Sequence, residues 1–98
     1  MAIPRGSTPT NIFNVSTDLT SAVELYITYK QQTKPVFVKE IEDCTVTSTK
    51  VETKLTRAET LKLNAKYQVK MQLDAKFPDG TWLPSEIITT DVYELLRE

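Results

Sequence analysis

The stretch KYQVKMQLDAKF, residues 66–77, alternates polar and apolar side chains without a break. Tyr67, Val69, Met71, Leu73, Ala75 and Phe77 fall in one register, and Lys66, Gln68, Lys70, Gln72, Asp74 and Lys76 in the other. A helix would scatter both sets around its circumference. Only a period of two keeps them apart, so the stretch predicts a long strand with one wet face and one dry face. A single wet face also favours antiparallel pairing over a parallel sheet buried on both sides. Phe77 leads into PDG and then Trp82. Proline pre-sets the first turn position, Asp79 suits the second, and Gly80 can take a positive φ, which predicts a type I turn with a glycine bulge. The chain therefore returns through Trp82, is interrupted at Pro84, and resumes in EIITTDV.

Working outward, AVELYITYK (22–30) places Val23, Leu25, Ile27 and Tyr29 on one side, with Tyr26 breaking the pattern on the polar side. PVFVKEI is expected to pair with it across QQTK. CTVTSTKVETKL, rich in Thr and Val, predicts a hairpin with its turn at STK, and TNIFNV reads as the first strand. About seven strands result. One segment departs from this pattern. In LTRAETLKL, Thr56 and Glu59 have capping-box spacing, and Ala58, Glu59, Leu61 and Lys62 favour helix. One or two helical turns are expected near 57–62, with Leu55, Leu61 and Leu63 fastening them to the core.

These elements predict a single all-β domain over residues 1–98, with an extended arm at 1–9 and a tail at 91–98. LKLNAKYQVKMQLDAKF resembles the stretch of fibronectin-III-like and other immunoglobulin-like β-sandwiches in which the chain crosses between sheets. A tyrosine there bonds back to upstream backbone, a role the resemblance assigns to Tyr67. Val23, Leu25, Ile27, Val69, Met71 and Leu73 would then form the core between two antiparallel sheets. A roll or partly open barrel also fits the strand pattern.

Composition narrows function. With 98 residues, 40% hydrophobic and 26% charged, the chain can bury one ordinary core. The net charge of −1 supplies no field to draw nucleic acid or an anionic membrane. No apolar run approaches the ~20 residues of a membrane helix. No secretory h-region stands at the N-terminus, so synthesis and folding in the cytoplasm are expected. The chain has no histidine, which removes Ser-His and Cys-His catalysis, histidine metal sites and imidazole proton transfer. Its single cysteine, Cys44, reads as a half-buried strand thiol. Glu40, Glu42 and Asp43 lack the glycine and spacing of a calcium loop. Lys66, Lys70 and Lys76 share a polar face interrupted by Asp74, without interleaved aromatics, so nucleic-acid binding is not expected. Two distant glycines form no phosphate loop, and NVS at 14–16 matches a glycosylation sequon that needs a secretory route. No catalytic residue, metal ligand, cofactor or small-molecule substrate is assigned.

Partner contacts remain. Trp82 follows a hairpin tip, where an aromatic either folds inward or faces another surface. Val92, Leu95 and Leu96 in DVYELLRE have helical spacing and would pack on the chain's own sheet or reach a neighbouring subunit. In IPRGSTPT, Pro4 and Pro9 hold residues 3 and 8 extended, and Gly6 allows a bend between them. This arm would tuck against a sheet edge or dock onto a neighbour. The candidate partner-binding residues are Arg5, Trp82, Tyr93, Leu95 and Leu96.

Together, IPRGSTPT, LTRAETLKL and VKMQLDAKFPDGTWLPSE resemble a family of small uncharacterised proteins encoded by phages and prophages of Gram-positive bacteria, with IPRGTTPT-like and LTQEETLKF-like segments. Ser7, Arg57-Ala58 and Leu63 depart from that pattern. The resemblance implies a non-enzymatic virion head or tail component, or an assembly protein, made in the bacterial host cytoplasm and acting through self-association or contacts with other virion proteins. The alternative is a carbohydrate-binding or adhesin-like accessory domain of a tail or fibre, which an exposed Trp82 near Tyr26 or Tyr93 would favour, since sugars stack on aromatic faces.

Overall fold

The alternation at 66–77 becomes the central strand of the larger of two sheets. The structure is a computed structural model and describes residues 2–97. The strands are β1 (Ala2–Pro4), β2 (Thr10–Asn14), β3 (Glu24–Gln31), β4 (Lys34–Glu40), β5 (Cys44–Val46), β6 (Lys50–Lys54), β7 (Val69–Lys76), β8 (Trp82–Pro84) and β9 (Ile88–Tyr93). A 3₁₀ turn spans Ile41–Asp43, and helix α1 (Arg57–Leu61) lies between β6 and β7. One sheet has the order β1-β9-β7-β3-β4, with β8 also on β7; the other is β2-β6-β5. The result is a sandwich-like all-β fold. Among the described residues no helix is long and apolar enough to cross a membrane.

The core sits between the sheets. Val69, Met71, Leu73 and Ala75 of β7 and Leu25, Ile27 and Tyr29 of β3 are buried from one side. Phe13 of β2 and Val51 of β6 meet them from the other, with Leu19, Leu55 and Leu63 closing the ends. Asn11 crosses this layer: its Nδ2 donates to the Tyr29 hydroxyl at 2.6 Å and meets Met71 Sδ at 4.0 Å. Burial pushes the Tyr29 phenol up to about 12, against the smaller opposing effect of the Asn11 bond. The phenol therefore stays neutral.

The turns follow their chemistry. Phe77 N–H donates to Thr81 O and Gly80 N–H to Phe77 O, both at 2.9 Å, with Gly80 at φ 90°. Thr56 Oγ1 accepts from Glu59 N–H while the Glu59 carboxylate accepts from Thr56 N–H, which completes the capping box. After Pro84 ends β8, Ser85 holds the chain to β7. Its N–H donates to Leu73 O at 2.7 Å, and its Oγ accepts from Leu73 N–H at 3.0 Å. β9 then resumes with Ile88 opposite Met71.

Several expectations are corrected. The described residues form nine strands rather than about seven, because β1 is too short for a periodicity to reveal and the return from the PDG turn, expected as one run interrupted at Pro84, is two strands, β8 and β9. The larger sheet is not wholly antiparallel, since β1 runs parallel to β9, pairing Ala2, Ile3 and Pro4 with Asp91, Val92 and Tyr93. The arm thus tucks against its own chain, with Ile3 fully buried. Val23 precedes β3 and is 53% exposed, outside the core. Tyr67 lies in the turn before β7 and is 41% exposed, so it does not serve as the corner residue. Val92 is buried as part of β9, and residues 94–97 are not helical. In α1 the buried side chain is Thr60, with Leu61 only half-buried.

The backbone near Tyr67 is held instead by Gln31 and Arg5. Gln31 Nε2 donates to Asn64 O (2.8 Å) and Tyr67 O (3.1 Å), and its Oε1 accepts from Asn64 N–H (2.9 Å). Arg5 Nε and Nη2 donate to Leu63 O (2.6 Å) and Leu61 O (2.8 Å). Hydrogen bonds from a charged group contribute about 1.5–3 kcal/mol each. Arg5→Ala is expected to lower stability by about 2–4 kcal/mol, read as a drop in urea midpoint at unchanged m-value. Val69→Asp buries an unpaired carboxylate and should cost about 4 kcal/mol or more. An unchanged melting temperature would refute the inward facing of Val69.

Candidate functional site

The outer face of the larger sheet carries the clearest surface feature. Because β3 pairs β7 in register from Glu24↔Lys76 to Lys30↔Lys70, the outward side chains form rows across the strands. One row holds Glu24, Lys76 and Trp82; the next holds Glu40, Tyr26, Asp74 and Pro84. Tyr26 and Trp82 stack over β7, with ring centroids 6.5 Å apart and planes 21° from parallel. Lys76 Nζ lies 5.8 Å from the Trp82 ring centroid and 3.6 Å from Glu24 Oε2. The Tyr26 hydroxyl donates to Glu24 Oε1 at 2.9 Å. That bond raises the Tyr26 pKa, helped by the Glu24 charge, and partial burial raises that of Asp74. Trp82 remains 49% exposed. The arrangement is an aromatic platform edged by carboxylates and a lysine. Of its members Trp82 was a sequence candidate for partner contact, and Tyr26 stood out as the misfit on the polar side of β3 and as one of two tyrosines, with Tyr93, whose approach to Trp82 would favour sugar binding; the structure brings Tyr26 to it.

The other candidates lie apart from this platform. Arg5 is engaged in holding the segment after α1. Around it, Arg57 Nη1 donates to Gly6 O and Thr60 Oγ1 to Ser7 O, both at 2.8 Å, and Leu55 N–H donates to Pro9 O at 2.9 Å. IPRGSTPT is therefore a clamp over α1. Its glycine is required: φ is +79°, and a Cβ there would meet Leu95 Cδ2 at 2.8 Å and Arg57 Nη1 at 3.0 Å. Tyr93 O accepts from Arg5 N–H at 2.9 Å, while the Tyr93 side chain is exposed. Leu95 packs on Gly6, and Leu96 is 94% exposed. Arg5, Tyr93 and Leu95 thus gather at one end of the sandwich, with Trp82 on its face.

A second surface feature follows from unequal sheets. Leu83 and Ile88 occupy inward register positions, opposite Ala75 and Met71, yet the smaller sheet leaves them partly uncovered. Together with Phe13, Leu19 and Leu73 they line an open cleft of about 430 Å³. Elsewhere, Cys44 is a half-buried thiol at the start of β5. Its Sγ–H donates to Glu40 O at 3.3 Å, and burial pushes its pKa up, away from the thiolate a nucleophile needs. The hydrogen bond between the Glu40 and Glu42 carboxyls raises the Glu40 pKa. Among the described residues no group of three or more His, Cys, Asp or Glu is placed to hold a metal ion.

Glu59 has a second role beyond its cap. Its carboxylate receives Lys39 Nζ at 2.8 and 3.0 Å, with Lys39 pointing inward from β4 and buried. Comparison with family models, curated proteins and solved structures found no match for this chain.

Partial burial pushes the Glu59 carboxyl up, but the Lys39 ammonium and the Thr56 amide outweigh it and hold the pKa below the usual value. The resulting stabilisation is complete above the unfolded glutamate pKa of about 4.3 and is lost as pH falls through the lower folded value. Glu59→Gln leaves the buried Lys39 ammonium without its counter-charge and should cost about 3 kcal/mol at pH 7. Scanning calorimetry is expected to show the gap in melting temperature between wild type and Glu59→Gln narrowing below about pH 4.

Proposed function

We propose that this chain is a non-enzymatic protein of phage or prophage origin that acts in virion structure or assembly through protein–protein contacts. The observation that carries the contact reading is the stacked, half-exposed Tyr26–Trp82 pair on the open face of a six-stranded sheet. Tyrosine and tryptophan supply large contact area at small cost in rotamer freedom, and they are enriched where interfaces concentrate binding energy. The phage assignment rests on the IPRGSTPT, LTRAETLKL and VKMQLDAKFPDGTWLPSE segments. We further read the sandwich as immunoglobulin-like. The order β9-β7-β3-β4 facing β2-β6-β5 supports this, since chain order then matches the G-F-C-C′ and B-E-D sheets of variable-type domains, with α1 between E and F. The protein would be made in the bacterial host and act in or on the particle.

One observation favours a second reading, a carbohydrate-binding accessory domain of a tail or fibre. Sugar rings stack on exposed aromatic faces, and Glu24 and Asp74 beside the Tyr26–Trp82 pair can accept hydroxyl hydrogen bonds.

Mass spectrometry of purified particles and assembly intermediates, together with the identity of the flanking genes, tests the main reading. Portal, capsid or tail neighbours and recovery of the chain in either fraction are expected. Metabolic neighbours and absence from both fractions would overturn it. A shift in Trp82 fluorescence on adding cell-wall glycans, lost in Tyr26→Ala, would select the second reading.

A further inference from the structure

The outer face of the larger sheet is divided by charge along its strands. Lys30 of β3 lies directly opposite Lys70 of β7. Like charges in directly opposed cross-strand positions repel, and among the described residues neither lysine has an ion-pair partner. Toward the other end of the same face lie Glu24, Asp74 and Glu40, with Lys76 as the one cation, already held by Glu24. Three carboxylates and one lysine leave a net −2 there, against +2 at the lysine row. The row between, Thr28, Gln72 and Val38, is uncharged. Asp91, beyond the lysine row on β9, accepts from the neutral Gln68 amide at 2.9 Å and keeps its charge, so the lysine end as a whole carries a net +1.

We propose that this face binds a second copy of the chain, related by a two-fold axis that lies between the two faces and crosses the strands at the Thr28–Gln72 row. The inference deepens the protein-contact reading above by naming the surface and its partner. An axis across the strands reverses their direction. It sets Lys70 over Asp74 of the other copy and Lys30 over Tyr26, whose hydroxyl holds Glu24. An axis along the strands would instead set lysine on lysine. The charge pattern therefore selects the first arrangement, and each contact occurs twice in such an isologous pair. Tyr26, Trp82 and Val38, each with an exposed apolar surface, would be covered. The strands that bear this face, β3 and β7 with eight residues each, β4 with seven, β9 with six and β8 with three, offer roughly 500 Å² at ~3.3 Å per residue and ~4.8 Å between strands. That falls below the ~800 Å² per partner of standard interfaces, in the size class of weak, transient pairs.

Sedimentation velocity of the full chain over roughly 1–200 µM tests the proposal. Wild type is expected to dimerise, and more weakly at high salt because the contacts lie near the surface. Lys30→Glu with Lys70→Glu, and separately Glu24→Lys with Asp74→Lys, should each weaken the dimer at least about 100-fold. Mixing the two double variants should restore a heterodimer. Melting curves of each variant show that it is folded, and the restored heterodimer cannot arise from unfolded chains. A wild-type monomer throughout, or a dimer indifferent to both reversals, overturns the proposal. Neither result touches the virion reading, which fails on gene neighbours and particle composition instead.

Discussion

The Arg5 guanidinium, seated on the Leu61 and Leu63 carbonyls, fastens the N-terminal arm to the end of α1, beside the Arg57–Gly6, Thr60–Ser7 and Leu55–Pro9 bonds along the same arm. Helix α1 has five residues, far too few to persist alone. Its last carbonyls would face water or go unsatisfied, and a cation placed there supplies both hydrogen bonds and a favourable charge. The same residue uses its backbone N–H to extend the β1–β9 pairing by one bond. At the other end of α1, the Glu59 carboxylate accepts from the Thr56 amide and neutralises Lys39 beneath the sheet, while Thr56 Oγ1 accepts from the Glu59 amide. A short helix thus becomes a rigid bridge between β6 and β7 because each end carries a charge of the appropriate sign. Thr60, between them, is buried and donates its hydroxyl to Ser7 O.

The unequal sheets distribute polarity differently on the two sides. Three strands cannot cover six, so part of the inner face stays open as the Leu83–Ile88 cleft, while the outer face carries Tyr26 and Trp82. The cleft follows from the mismatch in sheet size, and the platform from the register of β3, β7 and β8. Neither disturbs the core, whose members are drawn from every strand that crosses the middle of the molecule. The partly uncovered surface is therefore available for contact without a cost in packing.

Elements with a local signal were legible, whatever their length. β7 was readable because alternation over twelve residues excludes a helix, and α1 because Thr56 and Glu59 have a local partnership that needs no tertiary context. The PDG turn was readable for the same reason, and with it the return through β8. β1 has three residues, too few for any period, and it forms because β9 offers an edge. Val23 joined an apolar pattern but lies one residue before the ladder begins. Val92, Leu95 and Leu96 matched a helix by spacing, yet β9 supplied hydrogen bonds that a four-residue tail could not. The platform was half visible: Trp82 stood out as an isolated aromatic, whereas its pairing with Tyr26 depends on the register of three strands. The bond from Asn11 to Tyr29 left no mark in the sequence, because the two residues meet only after the sheets have packed.

The parallel pairing of β1 with β9 has a consequence for the order of folding. Residues 2–4 join residues 91–93, a closure spanning nearly the whole chain, and β1 has no other neighbour in the sheet. The entropy of closing so long a loop grows only slowly with length, about 0.6 kcal/mol per doubling. The restraint is therefore one of sequence of events more than of energy: β9 must already lie on β7 before β1 has an edge to meet. The clamp over α1 hangs on the same pairing through Arg5, whose N–H bonds Tyr93 O while its side chain holds the Leu61 and Leu63 carbonyls. Contacts made after the main barrier act chiefly on the rate of unfolding. A clamp that closes last would therefore slow the opening of the sandwich more than it speeds its assembly.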